Sequence, residues 1–385
     1  MRELYIGLMS GTSMDGVDGV LAEFDGDDGF RVLQHRQLAF DPELKAELLA
    51  LNTPGHDELH RAALAANGLA RVYAAVTAQL QAAAGGAAVR AVGAHGQTVR
   101  HRPGEFDGVG YTLQLNAPAL LAEMSGLDVV ADLRSCDVAA GGQGAPLVPA
   151  FHAARFARPG QDVAVVNIGG IANLTLIGGE GAVRGFDCGP GNVLMDIWCE
   201  RHLGKPYDDG GAWAAGGQVD LPLLDAALGD PYFALSPPKS TGRDRFHAAW
   251  LDAWLARAAK PVPAQDVQAT LCELSARTIA LDLQRHLPGA RKLLVCGGGA
   301  LNDELMRRLG AAGLCVASTV TEGLPPQQVE AAAFAWLARA HVHRRAGNVA
   351  AVTGARGARV LGALYPGTAG MQVQPPQLGV RALKP

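Results

Sequence analysis

The sequence predicts an α/β protein whose two halves face a shared cleft, and three observations carry that prediction. A glycine-rich strand-turn-strand unit occurs twice. Apolar residues 4–9 run into Ser10-Gly11-Thr12-Ser13-Met14-Asp15-Gly16 and a second apolar run over 17–24. Far downstream, residues 163–166 run into Asn167-Ile168-Gly169-Gly170-Ile171-Ala172-Asn173 and then 174–177. A third glycine run, Gly297-Gly298-Gly299, follows apolar residues 293–296 and opens a helical stretch. The length, 385 residues, exceeds one ordinary core and favours two domains. Glycine allows sharp bends and close approach of backbone to a ligand, and successive backbone N–H groups at such turns cradle anions. Two hairpins in separate halves, with a strand-to-helix turn, therefore predict a cleft holding a nucleotide's phosphates from both sides. Phosphoryl transfer is the leading reading.

The first half opens with the hairpin unit and a third strand over 31–40. Residues 57–84 carry Leu59, Leu64, Leu69, Val72, Val76 and Leu80 at helical spacing, which predicts a long helix ended by Gly85-Gly86. Residues 89–94 read as a buried strand. His95-Gly96-Gln97-Thr98 sits at its C-terminal end, where ligands gather in open α/β sheets. A helix over 117–124 and a strand over 128–131 complete the half, with Asp132-Leu133-Arg134 again at a strand end. The glycine-rich segment 139–145 and a helix over 149–157 lead to the second hairpin. A strand over 182–186 ends at Asp187, and Cys188-Gly189-Pro190-Gly191-Asn192 turns into a helix over 193–202. Residues 205–245, rich in Gly, Pro and Asp, read as a long irregular insertion. Helices over 246–259 and 266–286, the strand 293–296, a helix over 300–309, a strand over 314–317 and a helix over 327–343 finish the second half. The tail, 348–385, shows no periodicity. The expected domains are residues 1–145 with about 344–385 of the tail, and residues 146–343 with the insertion 205–245. The repeated opening suggests a duplicated architecture, although tight turns commonly need glycine for unrelated reasons.

Composition excludes several classes. A net charge of −4 and a pI near 6.3 give no global attraction for nucleic acid or an anionic membrane. Glu3 near the start and the lack of a long apolar run argue against a signal peptide and against a bilayer-crossing helix. The six cysteines are scattered without a CxxC pair, which disfavours zinc and disulfide frameworks and fits a reducing cytoplasm.

Several residues could carry chemistry. Backbone N–H groups neutralise phosphates without bulky side chains in the way, so Gly11, Thr12, Ser13 and Gly16 form one candidate cradle. No Walker A loop occurs, and Gly297-x-Gly299-x-x-Asn302 departs from the dinucleotide fingerprint at its last position. That run reads as a nucleoside-binding turn or as a plain strand-to-helix turn. Asp187 is the sharpest catalytic candidate, since a carboxylate beside a glycine-rich turn can accept a proton or hold a metal-bound water. The alternative is a capping or turn aspartate. Asp15 and Asp18 could hold Mg²⁺ through water or serve the turn. His95 and His101 flank Gln97-Thr98 in an expected loop without a metal-site spacing. Glu330, in the first turn of an Ala-rich helix, lies either at the cleft or in solvent favoured by the helix dipole.

Taken together these runs resemble one family, the anhydro-N-acetylmuramic acid kinases of bacterial cell-wall recycling. The resemblance rests on residues 7–18, 95–101, 131–134, 167–175, 185–192, 239–243 (Lys239-Ser240-Thr241-Gly242-Arg243) and 295–302, in order over nearly the whole chain. It implies a branch of the actin, hexokinase and chaperone ATPase superfamily, with two ribonuclease-H-like domains of mixed sheet plus helices around a central ATP cleft. It implies ATP with Mg²⁺ as cofactors, an amino sugar as substrate and a cytoplasmic homodimer. Gly11, Thr12, Ser13, Met14, Asp15, Gly16, Val17 and Asp18 would hold the phosphates. Gly169, Gly170 and Asn173 would face them, and Gly297, Gly298, Gly299 and Asn302 would meet the adenosine. Asp187 matches the catalytic base, and Gln97, Thr98, Arg134 and Glu330 fall in motifs lining the sugar pocket. Asn167 stands where the wider superfamily usually has aspartate, and no set of metal ligands is assigned. The resemblance further implies that Asp187 deprotonates a water that opens the anhydro ring while the freed oxygen takes the phosphoryl group. The competing expectations are an ordinary sugar or acetate-type kinase, and an actin-like or chaperone-like ATPase.

Overall fold

The computed structural model describes residues 2–11, 14–26, 29–242 and 245–368. Its strands are β1 (Arg2–Met9), β2 (Gly16–Asp25), β3 (Gly29–Ala39), β4 (Val89–Ala94), β5 (Gln97–Pro103), β6 (Gly110–Leu115), β7 (Val129–Ala131), β8 (Val163–Ile168), β9 (Ile171–Ile177), β10 (Val183–Pro190), β11 (Lys292–Cys296), β12 (Cys315–Ser318) and β13 (Ala363–Tyr365). Two mixed sheets result, ordered β13-β7-β4-β1-β2-β3 and β10-β9-β8-β11-β12. Setting β13 aside, the orders match. Each sheet has a central strand flanked by an antiparallel hairpin partner on one side and parallel strands on the other. The duplicated architecture read from the glycine hairpins is thus present in the strand order.

This topology gathers the glycine turns at one end of both sheets. The β1–β2 and β8–β9 turns lie at the C-terminal ends of the central strands. The loops after β4 and β11 leave from the same ends, because those strands run parallel to β1 and β8. Helix Val329–Val342 fixes the geometry between the sheets. Its alanine-rich face lies on Gly7 of β1 and Gly93 of β4, which are register partners. A Cβ at either glycine would overlap the carbonyl oxygen of Ala331 or Phe334. The helix was expected to close the second half, yet its backbone rests on the first sheet. One buried cluster then contains Tyr5 and Val20 from the first sheet, Val165 and Leu294 from the second, and Phe334 and Leu337 from this helix. Each such side chain contributes about 1.5–3 kcal/mol on burial.

The structure differs from the sequence expectations at several elements. Residues 205–245 are not wholly irregular: helix Leu221–Leu228 starts where the Asp220 carboxylate caps the Leu223 N–H. Residues 97–115 form the β5–β6 hairpin, so His101 sits on a strand rather than in a loop. The tail returns to pair β13 antiparallel with β7. In helix Glu58–Ala83, Leu69, Val76 and Leu80 are buried, but Leu59 and Leu64 are exposed. Among the described residues no helix is long and apolar enough to cross a membrane, and all six cysteines are free.

Candidate active site

The second glycine turn is shorter than the first and tightly braced. β8 continues through Asn167 and Ile168, and only Gly169 and Gly170 separate it from β9. The segment after β10 locks this turn in place. Gly191 N–H donates to Gly170 O at 2.8 Å, and Asn192 N–H donates to Gly169 O at 2.9 Å. The Asn192 amide adds a second bond to Gly169 O at 3.0 Å. Ser275 of helix Ala264–His286 holds Gly191 O at 2.7 Å. Their carbonyls are occupied and the Gly169 N–H donates to Ile171 O at 3.2 Å, while a Cβ at either glycine would meet nothing closer than 3.7 Å.

Asp187 lies inside β10 rather than at its end, because the strand passes a bulge between Asp187 and Gly189 and continues to Pro190. Its register partner is Asn173 on β9, and the register partner of Asn173 is Asn167 on β8. Directly paired residues share a face of the sheet, so the three side chains form one polar row. The Asn173 amide Nδ2 donates to Asp187 Oδ1, and the Thr241 backbone N–H donates to Oδ2 at 2.9 Å. The main chain of Asp187 is held as well, its N–H by Lys239 O at 3.2 Å and its carbonyl by the Tyr232 hydroxyl at 2.8 Å. Burial pushes the Asp187 carboxyl above its ordinary pKa, opposed by the bonds from Thr241 and Asn173 and by the Lys239 charge. A fixed carboxylate with raised basicity and a free lone pair on each oxygen is suited to accept a proton. Beside it lies a cavity of about 310 Å³ lined by Tyr232, Ser236, Lys239, Thr241 and Arg245 among others.

The polar row continues to Glu330. Burial and the nearby Asp18 charge raise the Glu330 carboxyl, while the Arg134 charge and a hydrogen bond from Asn167 oppose the shift. Glu330 thus stands between Asp18 of the first sheet and Asn167 of the second. Arg134 is clamped, donating to Gly144 O at 2.8 Å and to His95 Nε2 at 2.8 and 3.2 Å. Burial and this guanidinium depress His95 to about 3, so its imidazole stays neutral and accepts. Burial lowers Arg134 to about 10, so it remains charged. Gln97 is fully buried and ties the loop after β4 to the first glycine turn. Its amide donates to Gly11 O at 3.2 Å, and its carbonyl accepts from Ser10.

Asn173 and Asp187 are joined directly, Asp18 and Arg134 both act on Glu330, and Gln97 is held at the first glycine turn. Other expected residues behave differently. Thr12 and Ser13 lie outside the described residues. Asp15 is turned to Lys45, at 2.9 Å on the surface, while Asp18 bonds His35 at 3.0 Å. Val17 and Met14 are buried in the core, Met14 with a φ of 53°. Gly16 packs against the Leu38 backbone. Thr98 accepts from Gln114 at 3.1 Å. Asn302 caps helix Asp303–Ala311, accepting from Leu305 N–H at 2.9 Å, so its side chain has a structural partner. Gly297 and Gly299 fit closely around Asn167 and Ile168, whereas Gly298 faces open space. Sequence reasoning gave no role to Ser10, Asn167, Asn192, Tyr232, Lys239 or Asp282. Their signal lies in three-dimensional pairing, although Ser10, Asn167, Asn192 and Lys239 stand in the family-like runs.

Comparison with known proteins places these features in context. A family model described as "Anhydro-N-acetylmuramic acid kinase" matches residues 3–367. Relatives of that name include one from Variovorax paradoxus (strain S110), 63% identical over 94% of this chain and 99% of its own. Another, from Bordetella petrii, is 60% identical over 94% and 96%. Among solved structures, the activator of a 2-hydroxyisocaproyl-CoA dehydratase from Clostridium difficile with bound ADPNP aligns at 13% identity and a TM-score of 0.44, covering 89% of this chain and 96% of that one.

Proposed function

The chain belongs to the anhydro-N-acetylmuramic acid kinase family, and on that premise we propose that it uses ATP to open and phosphorylate 1,6-anhydro-N-acetylmuramic acid, yielding N-acetylmuramic acid 6-phosphate in peptidoglycan recycling. The observation that carries the residue assignment is Asp187, a buried carboxylate with both oxygens and both main-chain groups fixed.

In this reading Asp187 takes a proton from water. The water oxygen bonds to the anomeric carbon, and the bond from that carbon to O6 breaks. O6 bonds to the γ-phosphorus, and the bond to the β-phosphate oxygen breaks to release ADP. The proton leaves through Asp187, so water, ATP and anhydro sugar balance with sugar phosphate, ADP and one proton. The protein supplies position and charge rather than covalent chemistry. Gly11 and the rest of the first turn, including Thr12 and Ser13, would cradle phosphates from one side, with Gly169 and Gly170 opposite. Open space at Gly298 favours it as the point where the adenosine passes. Gln97, Thr98, Arg134 and Glu330 would bind the sugar, and the clamping of Arg134 and Gln97 supports a preformed pocket.

Mg²⁺ accompanies ATP in this proposal. Among the described residues no group of three or more potential ligands gathers, and a magnesium site of one or two carboxylates plus phosphate oxygens needs none. Asp18 and the Asn167 side-chain oxygen, which is buried without a partner, are the residues that would hold it. When bound, the ion neutralises charge on the phosphate oxygens.

We assign the first domain to residues 1–145 and the chain from about 329 through the described tail, because helix Val329–Val342 and β13 pack on the first sheet. Residues 146–328 form the second. Six free cysteines support a cytoplasmic location, and the family resemblance supports a homodimer.

The test is mass analysis of products after incubation with Mg-ATP and 1,6-anhydro-N-acetylmuramic acid. A sugar product heavier by one water and one phosphoryl group is expected. ADP formation without it would instead support an ordinary kinase or an ATPase.

A further inference from the structure

Close to Asp187, a buried ion pair lies in the second half. The Nζ of Lys239 lies 2.8 Å from Asp282 Oδ2, with side chains 1% and 4% exposed. The ammonium is flanked by the rings of Tyr232 at 5.2 Å and Phe186 at 5.7 Å. Lys239 is the residue whose carbonyl accepts the Asp187 N–H, and two residues on, Thr241 N–H meets the Asp187 carboxylate. Asp282 belongs to the long helix Ala264–His286, which also holds Gly191 through Ser275. One helix therefore anchors both the second glycine turn and the segment that orients Asp187.

A sealed pair of this kind is weak evidence for stability, because apolar residues of similar volume often stabilise as well or better. A role in function explains its position more directly. We propose that Lys239 and Asp282 are a buried positioning pair for Asp187. Asp282 fixes the ammonium, and the ammonium ties residues 237–242 against β10 so that the Thr241 N–H and a positive charge both face the carboxylate. The proposal rests on the reading of Asp187 as the base.

The surrounding groups leave Lys239 as the cation that acts on Asp187. Its charge opposes the effect of burial on the carboxyl. Burial, with the charges of Asp187 and Asp282, pushes the Tyr232 hydroxyl far up, so it stays neutral. Burial raises the Cys188 thiol well above its usual range, and Asp282 adds to that. Burial lowers His286, whose ring is then neutral at neutral pH. Arg285 reaches the other Asp282 oxygen at 3.8 Å and is half-exposed.

The test uses the full-length enzyme and the pH dependence of kcat. The variant Lys239→Met/Asp282→Leu removes both charges together, so no buried charge is stranded, and it is expected to fold. Its kcat is expected to fall about tenfold or more, with KM for ATP within about twofold of the parent. The acid limb of kcat is expected to move up by about one pH unit, because a carboxylate that loses a neighbouring cation holds its proton more tightly. Lys239→Arg, which keeps the charge, is expected to restore the parental acid limb. A double variant with parental kcat and acid limb would overturn the inference, as would an equal shift in Lys239→Arg. Should the double variant fail to fold, Lys239→Arg with Asp282→Glu decides. A parental acid limb despite the moved pair supports the charge role, and a shifted limb contradicts it. Failure of the parent enzyme to form sugar phosphate would count against the reaction itself and is read separately.

Discussion

Asn173 and Asp187 are register partners on β9 and β10, and the amide of Asn173 donates to the Asp187 carboxylate. The pairing is a consequence of strand register: a slip of β10 by one residue would turn Asp187 to the face opposite Asn173. The same register places Asn167 next in the row, and Asn167 reaches Glu330. Sheet geometry thus connects the base to the carboxylate at the sheet junction.

Replacing Asn173 with Ala removes a donor to the ionised form of Asp187, so the carboxyl is expected to rise further. The base must be ionised to accept a proton, and kcat falls as pH drops through its pKa. The acid limb in Asn173→Ala should therefore move to higher pH by about half a unit to one unit, lowering kcat on that limb by about three- to tenfold. A kcat profile from pH 5 to 9 checks this, and an unmoved acid limb would contradict it.

Gly298 separates fold from ligand. A Cβ there meets only the Asn192 amide at 3.9 Å, so Gly298→Ala should leave the melting temperature within about a degree or two of the parent. Nucleotide passing over the turn would meet the new methyl. Calorimetric ATP affinity is expected to fall about tenfold, a loss of about 1.4 kcal/mol. Unchanged affinity would move the nucleotide away from this turn.

Asp137 holds the crossover between the halves to the tail. It is fully buried and accepts from Gly144 N–H at 2.8 Å, Asn348 Nδ2 at 2.6 Å and Thr353 Oγ1 at 2.7 Å. Asp137→Ala leaves these donors unsatisfied, and a loss of at least about 3 kcal/mol is expected in urea unfolding. Gly142 of the same segment is also held to Asp137, its N–H donating to the Asp137 main-chain carbonyl at 2.9 Å.

Asn302 shows where motif and local physics diverge. Its side chain caps a helix, so Asn302→Ala should cost about 1 kcal/mol of stability. Any change in ATP affinity should be smaller than that of Gly298→Ala. The opposite ranking would return Asn302 to a direct contact.

Much of the fold was legible because its signals are local. Glycine hairpins, apolar runs and the Ala-rich helix each announce themselves within a short window, and Asp187 stood out beside its glycine-rich turn. The β5–β6 hairpin and β13 were not legible. The polar, charged sequence of β5 gives no clear alternation, and the three residues of β13 are ordered by pairing with β7. Asp187 was misplaced at a strand end because the bulge that lets β10 continue depends on its partner strand. The Lys239–Asp282 pair could not be read at all, since its members are distant in sequence and meet only through packing.

The central claim is that Asp187 supplies the base, and Asp187→Asn tests it most directly, since the amide keeps shape and loses basicity. Measured together by calorimetry and steady-state turnover, this variant should bind ATP within about threefold of the parent while kcat for sugar phosphate falls by at least about a hundredfold. Near-parental turnover with intact ATP binding would contradict the account.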